Sequence, residues 1–492
     1  MEKLYNNKLL LYIFLLFLLI RFIFIFNFPP FIDESNYIQA GKISLSQESF
    51  RFFATDYWGK EALPIWFFGF GGNLTEDPII GARLLVLFVS SISFFYLFFL
   101  TKKILSIQAA FVATFLYAIC PGFIIFNSLA QQDSLLLALN IIILYYLFEF
   151  KESFRVKDSI IIGILISTLV WIKATSVIIL ALTSFTFVFF FLTHEKFNLR
   201  KIYLLIIPFI TLILSIIILT KTTDLSLILE QTSKYSSLKD SNLSLISLWL
   251  KNFLFVTLTL MIYLSPLVFF SFIFSLNKLK KRNFFILSLW TIVPLIFFIL
   301  ASNEIKARYF IYSLGAFLPI ISYSIYNLIK QRKKYYISAL GVLLFLETIL
   351  LIFNPYLFFS IFPKNSLVEA ERDYAYSWPS GYGVKEALNY FKDIRPDKPV
   401  FLILHDHPSN LPSSYIMSYY FNREFENTKL IIASFESKEN VGSLKNNIKN
   451  ESGYFISNSI FVPKALKPNL TLIKKFEKQG SEDFTGVYSL KF

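Results

Sequence analysis

The 492-residue chain has almost no cysteine and little charge. Its single cysteine, Cys120, excludes a disulfide framework and a thiolate metal site. Only 16% of the residues are charged, whereas 55% are hydrophobic and 59 are phenylalanine. With a mean hydropathy of +0.58, the composition lies outside the range of soluble globular proteins and is typical of a polytopic membrane protein.

Apolar runs long enough to cross a hydrocarbon layer of ~30 Å recur along most of the chain. They lie at about residues 9–27, 79–100, 104–120, 134–150, 159–192, 202–220, 252–275, 284–301, 310–328 and 336–354. The run at 159–192 is long enough for a tight pair of helices. The sequence therefore predicts an all-α polytopic domain of about 11 transmembrane helices.

The net charge of +14 is concentrated in alternate short loops, near residues 102–103, 151–157, 196–201, 278–282 and 330–334. The positive-inside bias makes these loops cytoplasmic in the cell membrane, together with the N-terminus. Loop topogenesis and anionic lipid account for the excess charge, so nucleic acid is not an expected partner. The intervening loops and the C-terminal tail then face outward.

A change of composition near residue 358 divides the chain. Residues 1–358 are predicted to form the transmembrane domain, in which the long loop 28–78 carries interfacial helices. Residues 359–492 have the composition of a small soluble α/β domain outside the membrane. Within this tail, Val384, Ala387, Leu388 and Phe391 recur at helical spacing, and 399–404 and 428–434 have the composition of strands.

Charged side chains near the ends of apolar runs form a set on the predicted outer side. A charge at membrane depth costs ~2.5–3.5 kcal/mol on insertion scales, so these residues invite a functional explanation. The set consists of Asp33, Glu34, Lys60, Glu61, Arg83, Asp133, Lys173, Lys306 and Arg308, and Tyr309 follows directly. Such a set suits transfer of a sugar from a polyprenyl phosphate: the cations hold the phosphate, and one carboxylate removes the acceptor's proton.

Asp33 is the predicted catalytic base. It follows Pro29 and Pro30, which stiffen the exit from the first helix. Because a phosphate leaves as a stable anion, the reaction needs no general acid. The alternative for Asp33 is a solvated loop acid. For Lys173 the alternative to a role in the site is that its side chain snorkels to the membrane surface. For Arg308 the alternative is anchoring of the helix at the membrane interface.

Two further features leave alternatives open. Arg21, inside the first apolar run, either reaches the phosphate or snorkels to the surface. His405, Asp406 and His407 resemble a metal pair, but two histidines in a loop without a further ligand are weak support. No cofactor is established from the sequence, and a divalent metal stays open.

The same residues resemble the motifs of a known family. The motifs are Pro-Pro-Phe-Ile-Asp-Glu-Ser-Asn-Tyr at 29–37, Lys-Glu-Ala-Leu-Pro-Ile-Trp at 60–66, Gly-Ala-Arg-Leu at 81–84, Asp133, Lys173 and Arg308-Tyr309. Over roughly residues 10–330 the chain resembles the lipid-phosphate-dependent glycosyltransferases with the GT-C fold. The resemblance lies in the branch of protein O-mannosyltransferases and aminoarabinose transferases.

This resemblance implies an inverting transfer with Asp33 as the catalytic base and a dolichyl- or undecaprenyl-phosphate sugar as the donor. It places Glu34 and Asp133 at the substrate sites. It assigns the donor phosphate to Arg83, Lys173, Lys306 and Arg308, and Lys60, Glu61 and Tyr309 complete the predicted substrate-binding set. The acceptor is a protein, lipid or glycan on the outer face.

Two other functions remain as alternatives. A secondary transporter or lipid-linked glycan flippase would use the outer charges to line a pathway, but the sequence shows no internal repeat of the kind that marks inverted-topology transporters. A scaffold protein whose active part is the exported tail would need far fewer spans. The sequence therefore predicts a membrane glycosyltransferase.

Overall fold

A computed structural model of the chain describes residues 2–46, 61–194, 201–222, 245–272, 281–303, 305–362, 364, 367–376, 379–394, 400–405, 428–433, 435, 438–448, 452–478 and 483–492. Three residues singled out from the sequence, Lys60, Asp406 and His407, lie outside this part of the chain.

The N-terminal three quarters of the described chain is helical. The α-helices are α1 Glu2–Asn27, α2 Ile32–Ser46, α3 Ala62–Gly71, α4 Pro78–Ile104, α5 Ile107–Ile119, α6 Pro121–Phe126, α7 Gln132–Ser153, α8 Val156–Leu169, α9 Val177–Leu192, α10 Tyr203–Thr222, α11 Leu245–Leu264, α12 Pro266–Ser271, α13 Lys281–Ala301, α14 Ala307–Phe310, α15 Leu314–Lys330, α16 Lys334–Phe353 and α17 Pro355–Phe359. Each apolar run predicted to span the membrane falls on one or two of these helices.

Nine helical segments of the described chain are long and apolar enough to cross a membrane. The predicted spans at 104–120 and in the first half of 159–192 fall on the shorter helices α5 and α8, of 13 and 14 residues. At 1.5 Å per residue each reaches only about 20 Å, so their flanking segments must complete any crossing. Large apolar side chains such as Val342, Phe345 and Leu346 stay exposed on α16, as lipid-facing positions do. The prediction of a polytopic membrane protein with an all-α spanning part is confirmed.

Arg21 neither reaches the outer charges nor snorkels. Its side chain is fully buried, donates to the carbonyl of Tyr117 at 2.6 Å and also donates to the carbonyl of Ala118. Both carbonyls lie in the last turn of α5. Pro121 has no N–H with which to bond the Tyr117 carbonyl in a continued helix. Arg21 therefore supplies the hydrogen bond that Pro121 cannot.

Helices α2 and α3 form in the described part of the long loop 28–78 and cross at two glycines. A Cβ on Gly41 would lie 2.2 Å from the carbonyl oxygen of Ile65 and 2.4 Å from the Cα of Gly69. Because only glycine permits this approach, α2 is held against α3. The first turn of α2, which carries Asp33 and Glu34, is thereby fixed above the ends of the spanning helices.

The C-terminal part is a five-stranded mixed sheet with a helix on each face. Its elements are α18 Val384–Ile394, β1 Val400–His405, β2 Thr428–Ala433, α19 Lys438–Ile448, β3 Ser452–Asn458, β4 Leu470–Glu477 and β5 Phe484–Leu490, in the strand order β2-β1-β3-β5-β4. Strand β1 pairs in parallel with β2 and β3, whereas β5 pairs antiparallel with β3 and β4. The predicted helix and both predicted strands of this small α/β unit are confirmed.

Alternation along β1 explains the two layers. Leu402 and Leu404 pack toward α18, while Phe401 and Ile403 pack toward α19. Between α17 and α18 lie residues 367–376 and 379–383, which we name the junction segment. Its 3₁₀ helix Glu369–Tyr374 packs on the membrane domain, whose apolar core includes Val368, Tyr374 and Tyr376.

Candidate active site

Asp33 and Arg308 form an ion pair at one end of the helical bundle. Asp33 lies in the first turn of α2, where the helix dipole favours a carboxylate, and Arg308 lies in α14, at the start of a spanning segment. The two side chains are 27% and 20% exposed, so water and a ligand can reach both. One turn further along α2, burial and then the charge of Asp33 raise the pKa of Tyr37 well above its usual range. This phenol therefore stays protonated beside the carboxylate.

A second ion pair joins Asp133 and Lys173, with 2.7 Å between Oδ1 and Nζ. Asp133 lies in the first turn of α7, and Lys173 lies in the turn between α8 and α9. Tyr309 connects the two pairs. The Lys173 ammonium lies 5.0 Å from the centre of its ring, and the Arg308 guanidinium lies 5.7 Å from the same point. Both cations are thus within the distance at which an aromatic face attracts a positive charge.

A third pair, Glu34 with Arg83, is almost completely buried, with side-chain exposures of 0% and 2%. Arg83 donates Nε to Glu34 Oε1 at 2.8 Å and Nη2 to Glu34 Oε2 at 2.6 Å. Its other bonds go to the carbonyls of Ile25, Phe28 and Pro29, at 3.0, 2.7 and 2.7 Å. A guanidinium has five N–H donors, and these five bonds occupy all of them.

Glu34 is equally saturated. It accepts the backbone N–H of Phe31 at 3.0 Å and that of Ala130 at 2.9 Å, besides the two bonds from Arg83. The pair therefore ties the end of α1, the start of α2 and the chain before α7 into one unit. It lies next to Asp33 in the sequence but is closed to ligands.

Glu61 holds the loop that carries Lys173. Its side chain is buried and accepts the backbone N–H of Ala174 at 2.5 Å and the amide of Gln132 at 2.9 Å. These contacts join the start of α3 to the residues on either side of the Asp133–Lys173 pair. Of the motif Lys-Glu at 60–61, only Glu61 belongs to the described chain.

Lys306 is partly exposed beside Arg308. Within the described residues it forms no ion pair, and its charge acts on Glu371 of the junction segment. Glu371 is 2% exposed and accepts the backbone N–H of Ala307 at 2.9 Å and the Tyr263 hydroxyl at 2.5 Å. Burial raises the pKa of Glu371. These two hydrogen bonds and the charges of Lys306 and Arg308 act in the opposite direction, but burial is the largest effect.

The junction segment also contributes Tyr374, whose ring stacks on Phe31 at 4.7 Å. Burial, followed by the charge of Glu371, raises the pKa of this tyrosine well above its usual range. Glu371 and Tyr374 were not found from the sequence. They stand in an ordinary polar stretch after the last span, and no motif or periodicity marks them.

The described residues contain no group of three or more His, Cys, Asp and Glu side chains that could hold a metal ion. The His405-Asp406-His407 triplet lies at the end of β1, and its last two residues fall outside the described chain.

Comparison with solved structures shows the fold. The crystal structure of ArnT from Cupriavidus metallidurans bound to undecaprenyl phosphate is 12% identical and gives a TM-score of 0.58, covering 96% of this chain and 97% of that one. The apo structure of the same protein gives a TM-score of 0.55 at 12% identity and the same coverage. The oligosaccharyltransferase of Archaeoglobus fulgidus in the apo form gives 0.47 at 12% identity, covering 93% of this chain and 70% of that one. The ArnT matches show a GT-C fold that includes the C-terminal unit.

One family model matches part of the sequence. Residues 62–219 match the family described as dolichyl-phosphate-mannose-protein mannosyltransferase. The match contains Arg83, Asp133 and Lys173 and ends before Arg308. No curated protein matches the chain. The resemblance inferred from the motifs is confirmed by these findings.

Proposed function

We propose that the protein is an inverting glycosyltransferase that moves a sugar from a polyprenyl-phosphate carrier to an acceptor at the outer face of the membrane. The observation that carries this proposal is the pairing of Asp33 with Arg308 next to the pairing of Asp133 with Lys173, around the ring of Tyr309. A partly exposed carboxylate thus lies beside cations that can bind a phosphate. The fold shared with an undecaprenyl-phosphate-bound protein supports this choice of carrier.

In the proposed reaction the acceptor's hydroxyl attacks C1 of the sugar while Asp33 accepts its proton. The bond from C1 to the acceptor oxygen forms, and the bond from C1 to the phosphate oxygen breaks. Polyprenyl phosphate leaves with the bonding electron pair, stabilised by Arg308, Lys173 and Lys306. Binding of the donor phosphate to Arg308 also draws that cation away from Asp33, which makes the carboxylate a better base.

The remaining predicted site residues take supporting roles. Glu34 and Arg83 position Asp33 through the backbone that they fix, since every donor of Arg83 is already used. Glu61 positions Lys173 through Ala174. Asp133 orients Lys173 and borders the substrate, and Tyr309 supports both cations. Lys60 is proposed as a further substrate contact from its motif alone.

The charge distribution sets the proposed topology. Helices α4, α7 and α15 all have lysines in their last turns, whereas the cluster that includes Arg83, Asp133 and Arg308 lies at the opposite ends of these segments. The positive-inside bias then makes the lysine ends cytoplasmic. The N-terminus is cytoplasmic in this arrangement, the protein belongs to the cell membrane, and residues 359–492 are an extracytoplasmic domain. The expected partners are the lipid-linked donor, a protein, lipid or glycan acceptor, and membrane lipid.

The test is release of free polyprenyl phosphate by the purified protein in lipid nanodiscs, with a panel of radiolabelled polyprenyl-phosphate sugars. The Asp33→Asn variant should lose turnover by about 10²–10⁴-fold, the usual contribution of a general base. Glu76→Gln is the matched control, because Glu76 is an exposed carboxylate in the same outer loop. Equal release by wild type and Asp33→Asn would refute the role of Asp33. If no donor is cleaved but the lipid-linked sugar crosses the bilayer, the protein is a flippase.

A further inference from the structure

The junction segment pairs directly with the residues that lead into Asp33. Phe31 and Ser380 form an antiparallel bridge, in which Ile32 N–H donates to the Pro379 carbonyl at 2.9 Å and Gly381 N–H donates to the Pro30 carbonyl at 2.6 Å. The two prolines lack N–H groups and enter the bridge through their carbonyls alone. Asp33 follows this bridge by two residues, so the bridge fixes the backbone from which its carboxylate projects.

Glycine is required at position 381. A Cβ at this position would lie 2.7 Å from the Pro30 carbonyl oxygen and 3.1 Å from the Pro30 Cβ. Both neighbours belong to a stretch that Pro29 and Pro30 hold stiff, so neither can move away cheaply. The close approach of the two chains therefore depends on the absence of a side chain.

The same segment holds the other member of the ion pair. Glu371 accepts the N–H of Ala307, the residue directly before Arg308, and is itself fixed by the Tyr263 hydroxyl. Ala307 is the first residue of α14, and its N–H has no partner inside that helix. The Glu371 side chain thus fixes the start of the turn that carries Arg308.

The C-terminal domain in turn holds the junction segment. Lys478, at the end of β4, is almost fully buried and donates to the Ser380 carbonyl at 3.0 Å. The Thr485 hydroxyl donates to the Tyr382 carbonyl at 2.8 Å. Lys385 in α18 forms an ion pair of 2.6 Å with Asp77, the N-cap residue of α4. The sheet is therefore braced against both the junction segment and the membrane domain.

We propose that Glu371 and Gly381 are positioning residues for glycosyl transfer. Through the bridge to Phe31 and the bond to Ala307, the junction segment sets the relative placement of Asp33 and Arg308. The C-terminal domain is then a part of the catalytic unit, and its attachment controls the rate of transfer. This inference deepens the proposed function and rests on it for the kinetic part of its test.

The first experiment needs no turnover. Residues facing each other in a non-hydrogen-bonded antiparallel pair have Cα atoms about 4.5 Å apart, within the range that a disulfide bridges. Phe31→Cys and Ser380→Cys, combined in a Cys120→Ala background, should cross-link on oxidation with copper phenanthroline. The control combines Phe31→Cys with Glu369→Cys, at an exposed position of the same segment, and should not cross-link. Absence of the first cross-link would overturn the proposal.

The second experiment is kinetic. Glu371→Ala and Gly381→Ala should lower kcat on the order of 10- to 100-fold, because small displacements of reacting groups are costly. Gly381→Ala acts on the backbone that leads into Asp33, so it should change KM for the donor by less than about two-fold. Glu371→Gln should recover most of the rate, since its amide oxygen still accepts the Ala307 N–H. Glu369→Ala and Gly442→Ala are matched controls, an exposed acid of the same segment and a glycine with open space around its Cβ. Unchanged kcat in both test variants would overturn the proposal.

The outcomes separate this inference from the proposed function. If wild type releases no polyprenyl phosphate from any donor, the proposed function fails, and hydrogen exchange over residues 30–37 then decides whether the junction segment fixes this loop. Exchange should be faster in Gly381→Ala than in Gly442→Ala, and equal rates would overturn the inference. If Gly381→Ala does not fold, Lys478→Met replaces it, because that change removes the hydrogen bond to Ser380 from the sheet side.

Discussion

Replacing Arg83 by methionine tests whether this cation of the predicted site binds the donor or holds the scaffold. In the folded protein the substitution removes two bonds to the buried carboxylate of Glu34. It also removes the donors to three backbone carbonyls at the end of α1. The carboxylate, which has no solvent exposure, then keeps only the N–H groups of Phe31 and Ala130 as partners.

The expected loss follows from this geometry. Removing one partner of a buried ion pair typically costs about 3–5 kcal/mol, because the other charge remains buried. That is a large part of the ~5–15 kcal/mol by which a typical protein is stable. Phe31 and Ala130 donate to different oxygens of Glu34, so Glu34→Gln keeps an acceptor for only one of the two N–H groups and should cost about 1–3 kcal/mol for the donor left unsatisfied. The double variant Glu34→Leu/Arg83→Met leaves no buried charge without a partner. Its loss of unfolding free energy should therefore be smaller, by about 0.5–3 kcal/mol, than the sum of the losses in the single variants Glu34→Leu and Arg83→Met.

The assay is thermal unfolding of the variants in nanodiscs, together with binding of polyprenyl phosphate at a temperature where all of them are folded. Arg83→Met should melt several degrees lower, with an affinity for polyprenyl phosphate close to that of wild type. Unchanged thermal stability with a loss of affinity of ten-fold or more would refute the reasoning. Arg83 would then contact the phosphate, as the family resemblance alone implies.

Three further predictions follow from the contacts of single residues. Lys173→Ala should weaken donor binding by about ten-fold or more, since a hydrogen bond between charged groups is worth about 1.5–3 kcal/mol, and the KM for the donor measures this. Burial lowers the pKa of Lys478 to about 8, so the unfolded chain holds this proton at higher pH than the folded protein does. The free energy of unfolding should therefore rise between about pH 8 and pH 10, and a pH series of melting curves should lose this rise in Lys478→Met. Gly41→Ala should cost about 1–3 kcal/mol by forcing α2 from α3, whereas Gly341→Ala, with nothing within 4 Å of its Cβ, should be silent in the same melting experiment.

The helical bundle could be predicted from the sequence because membrane spans are local signals. An apolar run, its length and the lysines at one end are all contained in about 20 consecutive residues. The tail was predictable for the same reason, since Val384, Ala387, Leu388 and Phe391 mark a helix by spacing alone. The shortness of α5 was not, because the run at 104–120 is apolar throughout. Pro121 marks the end of that run in the sequence, but only the structure shows that α5 is confined to Ile107–Ile119 and that Arg21 supplies a hydrogen bond to its last turn.

The role of the junction segment could not be predicted from the sequence, because it depends on contacts between residues that are far apart along the chain. Ser380 is about 350 residues from Phe31 along the chain, and neither residue has chemistry of its own to suggest that they pair. Glu371 looks from the sequence like any acid of a soluble tail. Its burial and its bond to Ala307 arise only because the 3₁₀ helix packs on the membrane domain.

The outer charges, which the sequence presents as one set, differ in the feature that decides their chemistry. Glu34 and Arg83 are closed to solvent and fully hydrogen-bonded, so neither can exchange a partner for a ligand. Asp33 and Arg308 keep about a fifth to a quarter of their side-chain surface open, and the Nε of Arg308 has no hydrogen-bond partner among the described residues. An exposed pair can be separated by an incoming phosphate at little cost, whereas a buried one cannot. Burial therefore distinguishes the two adjacent carboxylates of one motif: Asp33 stays open to a ligand, as its proposed role as base requires, whereas Glu34 is a buried support.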